Sequence, residues 1–188
     1  WFYISEMITG GTDCIRKYSY LVTKMKFPVA TIPTFINISK FTIHILLIYL
    51  TIIIFRLFGY TPDIYMLQLP FYMLLAFIFL NFWGLFSSLL GVISKDYSNL
   101  VKSFITALFW LSGIMWNPDT LGNGIAKKLL NLNPVTFLVN GFRNCFINKV
   151  WFWEQPKRLM YFLIITAILL ILAIATYKRL RKDIPDVL

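Results

Sequence analysis

From Ile64 to Ser94 the chain runs for 31 residues without one charged side chain. A helix of that length would measure about 46 Å, longer than the roughly 30 Å hydrocarbon core of a bilayer. A core helix of a water-soluble domain has no use for such a run, so the sequence points to a membrane-spanning fold. Pro70 falls in the first turns, where proline is tolerated, and Asn81, Gly84 and Gly91 are places where the helix can bend. Composition agrees: 59% of the 188 residues are apolar and 14% charged, against about 45–50% and about 25% in soluble domains. A mean hydropathy of +0.71 excludes intrinsic disorder. Cys14 and Cys145 form no disulfide framework and no zinc or redox spacing, and read as small apolar residues.

Three more apolar stretches suit a bilayer. Phe41 to Phe55 is flanked by Lys40 and Arg56, whose stems can snorkel outward. Ser103 to Pro118 is short and carries Gly113, and Leu159 to Tyr177 is a full span. The opening WFYISEMITGG reads as the end of a further span, and because the chain begins at Trp1 it is expected to be a fragment. The predicted fold class is an all-α polytopic membrane protein. If the opening segment descends to the cytoplasm, alternation places 14–40, 95–102 and 178–188 inside and 59–63 and 119–157 outside. Of the 18 basic residues behind the net charge of +10, eleven then lie inside: Arg16, Lys17, Lys24, Lys26, Lys40, Lys95, Lys102, Lys178, Arg179, Arg181 and Lys182. That is the positive-inside bias. The other seven, Arg56, Lys127, Lys128, Arg143, Lys149, Lys157 and Arg158, make an unusually basic outer side. Either the topology differs from this, or that face meets anions.

Segments outside the spans carry their own patterns. In Thr12 to Pro28, Thr12 or Asp13 is a candidate helix cap, and Ile15, Tyr18, Val22 and Met25 recur at helical spacing opposite Arg16, Lys17, Lys24 and Lys26. This is either a basic amphipathic helix on lipid headgroups or a cytoplasmic helix docking a partner. In Asn117 to Val150, Asn133 and Pro134 make a cap and first-turn pair. Val135, Leu138, Val139, Phe142 and Phe146 then share a face, with Arg143 and Asn144 opposite. That segment either lies in the interface or dips in as a re-entrant hairpin. Trp151, Phe152 and Trp153 read as an interfacial aromatic belt, as do Tyr60, Tyr65, Trp110 and Trp116. Sugars also stack on aromatic rings, so Tyr49, Phe82, Trp83, Phe109 and Trp110 are candidates for a substrate path.

Catalytic signatures are missing. The sequence holds no GxxxxGK[ST], GxSxG, HExxH or CxxC. His44 reads as a satisfied intramembrane polar group, with a proton relay as the sharper alternative. No metal site is expected, and no intrinsic catalytic site.

YSYLVTKMKFPVATIPTF (Tyr18 to Phe35), KDYSNL (Lys95 to Leu100), FWLSGIMWNPD (Phe109 to Asp119) and LNLNPVTFLVNGFR (Leu130 to Arg143) occur in an order that resembles the permeases of ABC exporters for polysaccharides. Within that group the O-antigen and teichoic acid translocation permeases are the nearest likeness, the wall teichoic acid type closest. The resemblance implies six transmembrane helices when complete. Residues 1–12 would end the second span and 13–27 form the cytoplasmic coupling helix. Residues 33–58, 64–94 and 103–117 would be the third to fifth spans, 118–150 extracellular re-entrant helices, 158–178 the sixth span and 179–188 a cytoplasmic tail. It implies ATPase contacts at Asp13, Arg16, Lys17, Tyr20, Lys24, Lys26, Lys95 and Asp96. An outer gate would be built from Trp116, Asn117, Asn133, Pro134, Phe142 and Arg143. It further implies a homodimer with two ATP-binding cassette subunits, which hold the ATP and Mg while this chain binds no cofactor. The cargo would be a lipid-linked anionic polysaccharide, and no nucleic acid is involved. The location would be the plasma membrane, and heavy use of Ile, Lys, Asn, Phe and Tyr fits a Gram-positive source. The rival readings are a permease for drugs or other lipids, a membrane-bound glycan-modifying enzyme, and an ion channel.

Overall fold

The structure, a computed structural model, describes residues 1–25, 27–116, 127, 130–181 and 184. Among them are seven α-helices and no strand: α1 (Phe2–Lys17), α2 (Ser19–Thr23), α3 (Thr31–Leu57), α4 (Leu69–Ile93), α5 (Lys95–Leu111), α6 (Pro134–Arg143) and α7 (Pro156–Leu180). The all-α membrane fold read from the sequence is the one observed. Three helical stretches among the described residues are long and apolar enough to cross a bilayer: Thr31–Leu57, Ile64–Ile93 and Pro156–Leu180. They correspond to the runs at 41–55, 64–94 and 159–177; the fourth expected span, Ser103 to Pro118, is not among them, its described part falling in α5 and the turn that follows.

The run from Ile64 does not form a single helix from its first residue. Asp63 Oδ1 accepts the Ile64 N–H at 2.7 Å and starts a short 3-10 turn, Ile64–Gln68. Pro70 then sits in the first turn of α4, where its missing N–H leaves no bond unmade. From there α4 continues unbroken through Asn81, Gly84 and Gly91. It is the central helix, packed on α1, α3 and α7. Its end is abrupt. Ser94 takes an extended conformation, closes α4, and accepts the Tyr97 N–H on its hydroxyl at 3.3 Å to open α5. This cap, with Asp96 in the first turn to favour the helix dipole, makes 95–102 the first two turns of a helix. A loop was expected there. At the far end Gly113 at φ +65 ends the helical course, so α5 occupies 95–111.

Helix α1 also departs from expectation. Thr12 and Asp13 do not cap a new helix but lie inside α1, which runs from Phe2 to Lys17. The chain breaks only at Tyr18, and α2 is a short turn of helix whose Val22 packs with Ile15, Val29, Ile32, Leu89, Val92 and Ile184. Because α2 stops at Thr23, Met25 leaves the predicted apolar face and stands exposed.

The main core joins α1, α4, α6 and α7 through Met7, Leu80, Leu138 and Phe162, all fully buried. Buried polar groups are bonded across helices. Tyr3 donates to Asn37 Oδ1 at 2.6 Å, and Asn37 donates to the Phe77 carbonyl at 3.0 Å, linking α1, α3 and α4. Close approach depends on glycine. A Cβ on Gly91 would strike the Thr12 carbonyl oxygen and stand 3.1 Å from Ser98 Oγ. A Cβ on Gly10 would meet nothing within 4 Å. Gly91→Ala is therefore expected to lower stability by about 1–3 kcal/mol through overpacking, whereas Gly10→Ala should raise it by roughly 0.5–1 kcal/mol through helix propensity. Thermal unfolding of the two variants in detergent checks the difference in sign.

Candidate functional site

Two polar constructions stand at opposite ends of α5. The inner one gathers the ends of α1 and α4 and the start of α5. Helix C-termini leave carbonyls without intrahelical partners, and in a membrane protein such groups need replacement donors. At the end of α4 these come from α1: the Arg16 guanidinium donates to the Gly91 carbonyl and, at 3.2 Å, to that of Val92. One turn earlier Asp13 pairs with Lys102 of α5 at 2.5 Å. Thr12 Oγ1 and Ser87 Oγ lie 2.6 Å apart, and Ser87 Oγ lies 3.0 Å from the Tyr97 hydroxyl. Three helices are thus tied at one corner.

This divides the expected coupling residues. Asp13 and Arg16 are occupied within the chain, whereas Lys17, Tyr20, Lys24, Lys95 and Asp96 are exposed around the same corner. Met25 and Phe27 add exposed apolar surface beside them. Lys26 lies outside the described residues.

The outer construction is centred on α6. Asn133 caps it, its side-chain oxygen accepting the Val135 N–H at 3.0 Å, and Pro134 occupies the first turn. The same Asn133 donates to Ser112 Oγ at 3.0 Å. Arg143 and Asn144 were expected on the polar face and are found turned into the protein. Asn144 is buried. Arg143 donates to Asn140 Oδ1 at 2.7 Å and to the carbonyls of Gly113, Ile114 and Trp116 at 2.8, 3.4 and 3.4 Å. It satisfies the carbonyls just beyond α5 as Arg16 satisfies those ending α4. Phe142 packs its ring against His44 and Tyr72, and Gly141 is where Tyr72 lies so close that no side chain fits. Trp116 donates its indole N–H to the Trp110 carbonyl at 3.1 Å. Asn117 lies outside the described residues.

Beside α6 a second tie holds the outer chain. Gln68 donates to the Val150 carbonyl at 2.9 Å and accepts the Phe152 N–H at 3.0 Å. Lys149, in the left-handed region at φ 53, pairs with Asp63 at 2.8 Å. The pairing, with the Ile64 N–H, holds the Asp63 carboxyl below its ordinary value and pushes the Lys149 ammonium up. Of the seven basic residues assigned to the outer side, Arg143 and Lys149 thus direct their charge at the protein itself, and Arg158 donates to Gln155 Oε1 at 3.3 Å.

The aromatic residues proposed for a substrate path do not share one wall. Tyr49 stands exposed on α3. Phe82 packs on the main core. Trp83 donates to the Ile8 carbonyl at 3.4 Å and lines an apolar cavity of about 270 Å³ beneath α5, with Phe104, Ile105 and Leu108. Phe109 meets Trp1 edge-on at 5.2 Å, and Trp110 beside it is exposed. Trp151 and Trp153 stack at 4.4 Å, with Tyr65 against Trp151, as a rim cluster. His44 stacks on Tyr3 at 4.9 Å, yet its Nε2 has no hydrogen-bond partner among the described residues. It is not the satisfied group read from the sequence. No cluster of His, Cys, Asp or Glu able to hold a metal ion occurs among the described residues.

Residues 1–147 match the family described as ABC-2 type transporter, and the chain belongs to that family of membrane transporters. It is 21% identical over 187 residues to the O-antigen export system permease protein RfbA of Myxococcus xanthus, a match covering 99% of this chain and 71% of that protein.

Arg16→Ala should cost about 1.5–3 kcal/mol, because a charged donor is lost and two carbonyls are left without it, while Lys17→Ala should stay within about 0.5 kcal/mol. Paired thermal melts check this. For Asp63 the sign follows from its lowered pKa: the tie to Lys149 is present at neutral pH and is lost as the pH falls through that lowered value. Protection of the backbone amides at 144–149, taken relative to their intrinsic exchange rates at each pH, should fall on acidification, and Asp63→Asn should lower it at neutral pH and remove the response.

Proposed function

We propose that the chain is the transmembrane subunit of an ABC exporter that carries a lipid-linked anionic polysaccharide, of the teichoic acid type, outward across the plasma membrane of a Gram-positive bacterium. It acts as a homodimer with two ATPase subunits, which bind ATP and Mg and perform the hydrolysis. Family membership and the likeness over 187 residues to an O-antigen export permease support the transport of a polysaccharide. The observation that carries the reading is the inner corner. Lys17, Tyr20, Lys24 and Phe27 stand exposed around α2, next to exposed Lys95 and Asp96, at a corner where α1, α4 and α5 are tied together. A partner that closes on ATP and presses there moves three helices at once.

Export then follows by rocking two permease subunits apart, so that hydrated glycan passes between polar and aromatic side chains while its lipid tail stays in the bilayer. The anionic cargo is supported by Arg56 and Lys157, which stand exposed on the outer side, and not by Arg143 or Lys149. One observation favours a second reading: the apolar cavity beneath α5 suits a permease for hydrophobic drugs or small lipids. Reconstitution with both cargo types separates the two.

Lys17→Glu and Lys24→Glu are expected to weaken ATPase association by roughly tenfold, the scale of charge contacts at an interface rim, with no change in thermal stability because both side chains are exposed. Copurification of the ATPase and glycan transport by the reconstituted complex check this. Unchanged assembly and transport in both variants would overturn it.

A further inference from the structure

Helix α5 is clamped at both ends, and between them it rests on the protein along one narrow line, Val101, Ile105 and Leu108 on the main core and Phe109 on Trp1. Of its residues only Ser98 and Val101 are buried. Cavities of about 270 and 320 Å³ run along its inner side, both walled by Phe104, Leu108 and Asn133. Its start is fixed by the Asp13–Lys102 pair, by the Tyr97 hydroxyl beside Ser87, and by the one-residue corner at Ser94 with α4, whose last carbonyls Arg16 holds. Just beyond its end Arg143 holds the carbonyls of Gly113, Ile114 and Trp116, while Asn133 and Thr136 of the α6 region bond Ser112 and the Leu111 carbonyl. A guanidinium presents its donors in a fixed planar fork, so it fixes direction as well as distance, which a lysine ammonium does not. A helix of 17 residues reaches about 25 Å, most of the way across a bilayer core. With only Ser98 and Val101 buried along its length, α5 keeps its own helical rigidity and carries a displacement of the corner from one end to the other.

We propose that α5 is a strut between the two arginine clasps, and that Arg16 and Arg143 are positioning residues that deliver a displacement of the inner corner to α6 as one rigid movement. The source of that displacement rests on the exporter reading above; the rigid link rests on geometry alone. In this reading α6 is driven through the carbonyls just beyond the end of α5.

Coupling of this kind is established by showing that two elements move together. In the assembled permease–ATPase complex in nanodiscs, spin labels on Trp110→Cys and Ile147→Cys report the α5–α6 link. Labels on Leu46→Cys and Ile147→Cys report movement of the outer segment against α3. All three positions are exposed, and the native Cys14 and Cys145 are buried. Addition of an ATP analogue should shift the Leu46–Ile147 distance while the Trp110–Ile147 distance holds within about 2 Å, the scale of ordinary helix adjustments. Arg143→Gln should broaden the Trp110–Ile147 distribution and abolish the Leu46–Ile147 shift. Glycan moved per ATP hydrolysed should fall by about tenfold, a usual scale for coupling between sites. Arg143→Lys, which keeps the charge and loses the fork, should fall between. A Trp110–Ile147 distance that changes with nucleotide in the unmodified complex overturns the strut, as does an Arg143→Lys complex that matches the parent in both distances and in glycan per ATP. A parent complex that hydrolyses ATP and moves no glycan defeats the exporter reading instead, and the Trp110–Ile147 distributions of parent and variants still decide the clasp.

Discussion

Gly11 and Gly84 let α1 and α4 approach until the Met7 methyl takes the space that a Cβ on either would need, and Gly91 repeats the contact one end further in, against the Thr12 carbonyl. In lipid, helices gain little from hiding apolar surface, so close packing and bonded polar groups are what hold them together. The α1–α4 seam supplies both. Thr12 and Ser87 meet across it, Trp83 reaches back to Ile8, and Arg16 arrives at the end of α4 in position to take its carbonyls. The α4–α5 corner, and through it the placement of α5 and α6, depends on that seam.

Two arginines, at opposite ends of α5, perform the same physical task. Each leaves one helix to satisfy carbonyls at or beyond the end of another, because helix ends leave acceptors over and a membrane interior offers no water to take them. This alters the meaning of the charge of +10. Basic residues in membrane proteins read first as topology markers or ligand contacts, but Arg16, Arg143, Lys40, Lys102 and Lys149 are bound to the chain's own carbonyls and carboxylates. Lys17, Lys24 and Lys95 stand exposed around α2 and the start of α5, as do Lys178, Arg179 and Arg181 at the end of α7.

Much of the fold was legible in the residues. The runs at 41–55, 64–94 and 159–177 mark the three long apolar helices, while the run at 103–118 does not mark a fourth, and Asn133 with Pro134 marks the start of α6, because bilayer thickness and the open N–H groups of a first turn constrain sequence locally. The inner helix was misplaced for an equally local reason. Thr12 and Asp13 are good caps, but here Thr12 bonds Ser87 and Asp13 bonds Lys102, so tertiary partners took the side chains a cap would have used. The start of α5 was missed because a lysine and an aspartate look like loop, whereas Ser94 and the dipole make them a first turn. Gln68, which bridges Val150 and Phe152, carries no sequence signal at all: one amide in an apolar run says nothing about what lies 82 and 84 residues further on.

The sequence by itself determined that this chain lies in a membrane, that it is helical, and where its spans fall, since length and the cost of charge in hydrocarbon act residue by residue. Only the tertiary structure decided which polar groups face a partner and which face the chain itself. Arg16 and Lys17 are neighbours of the same charge on one helix, yet one closes the end of α4 and the other stands in the open. That difference is set by where another helix happens to end, and the unmet carbonyls there are visible only once the helices are packed together.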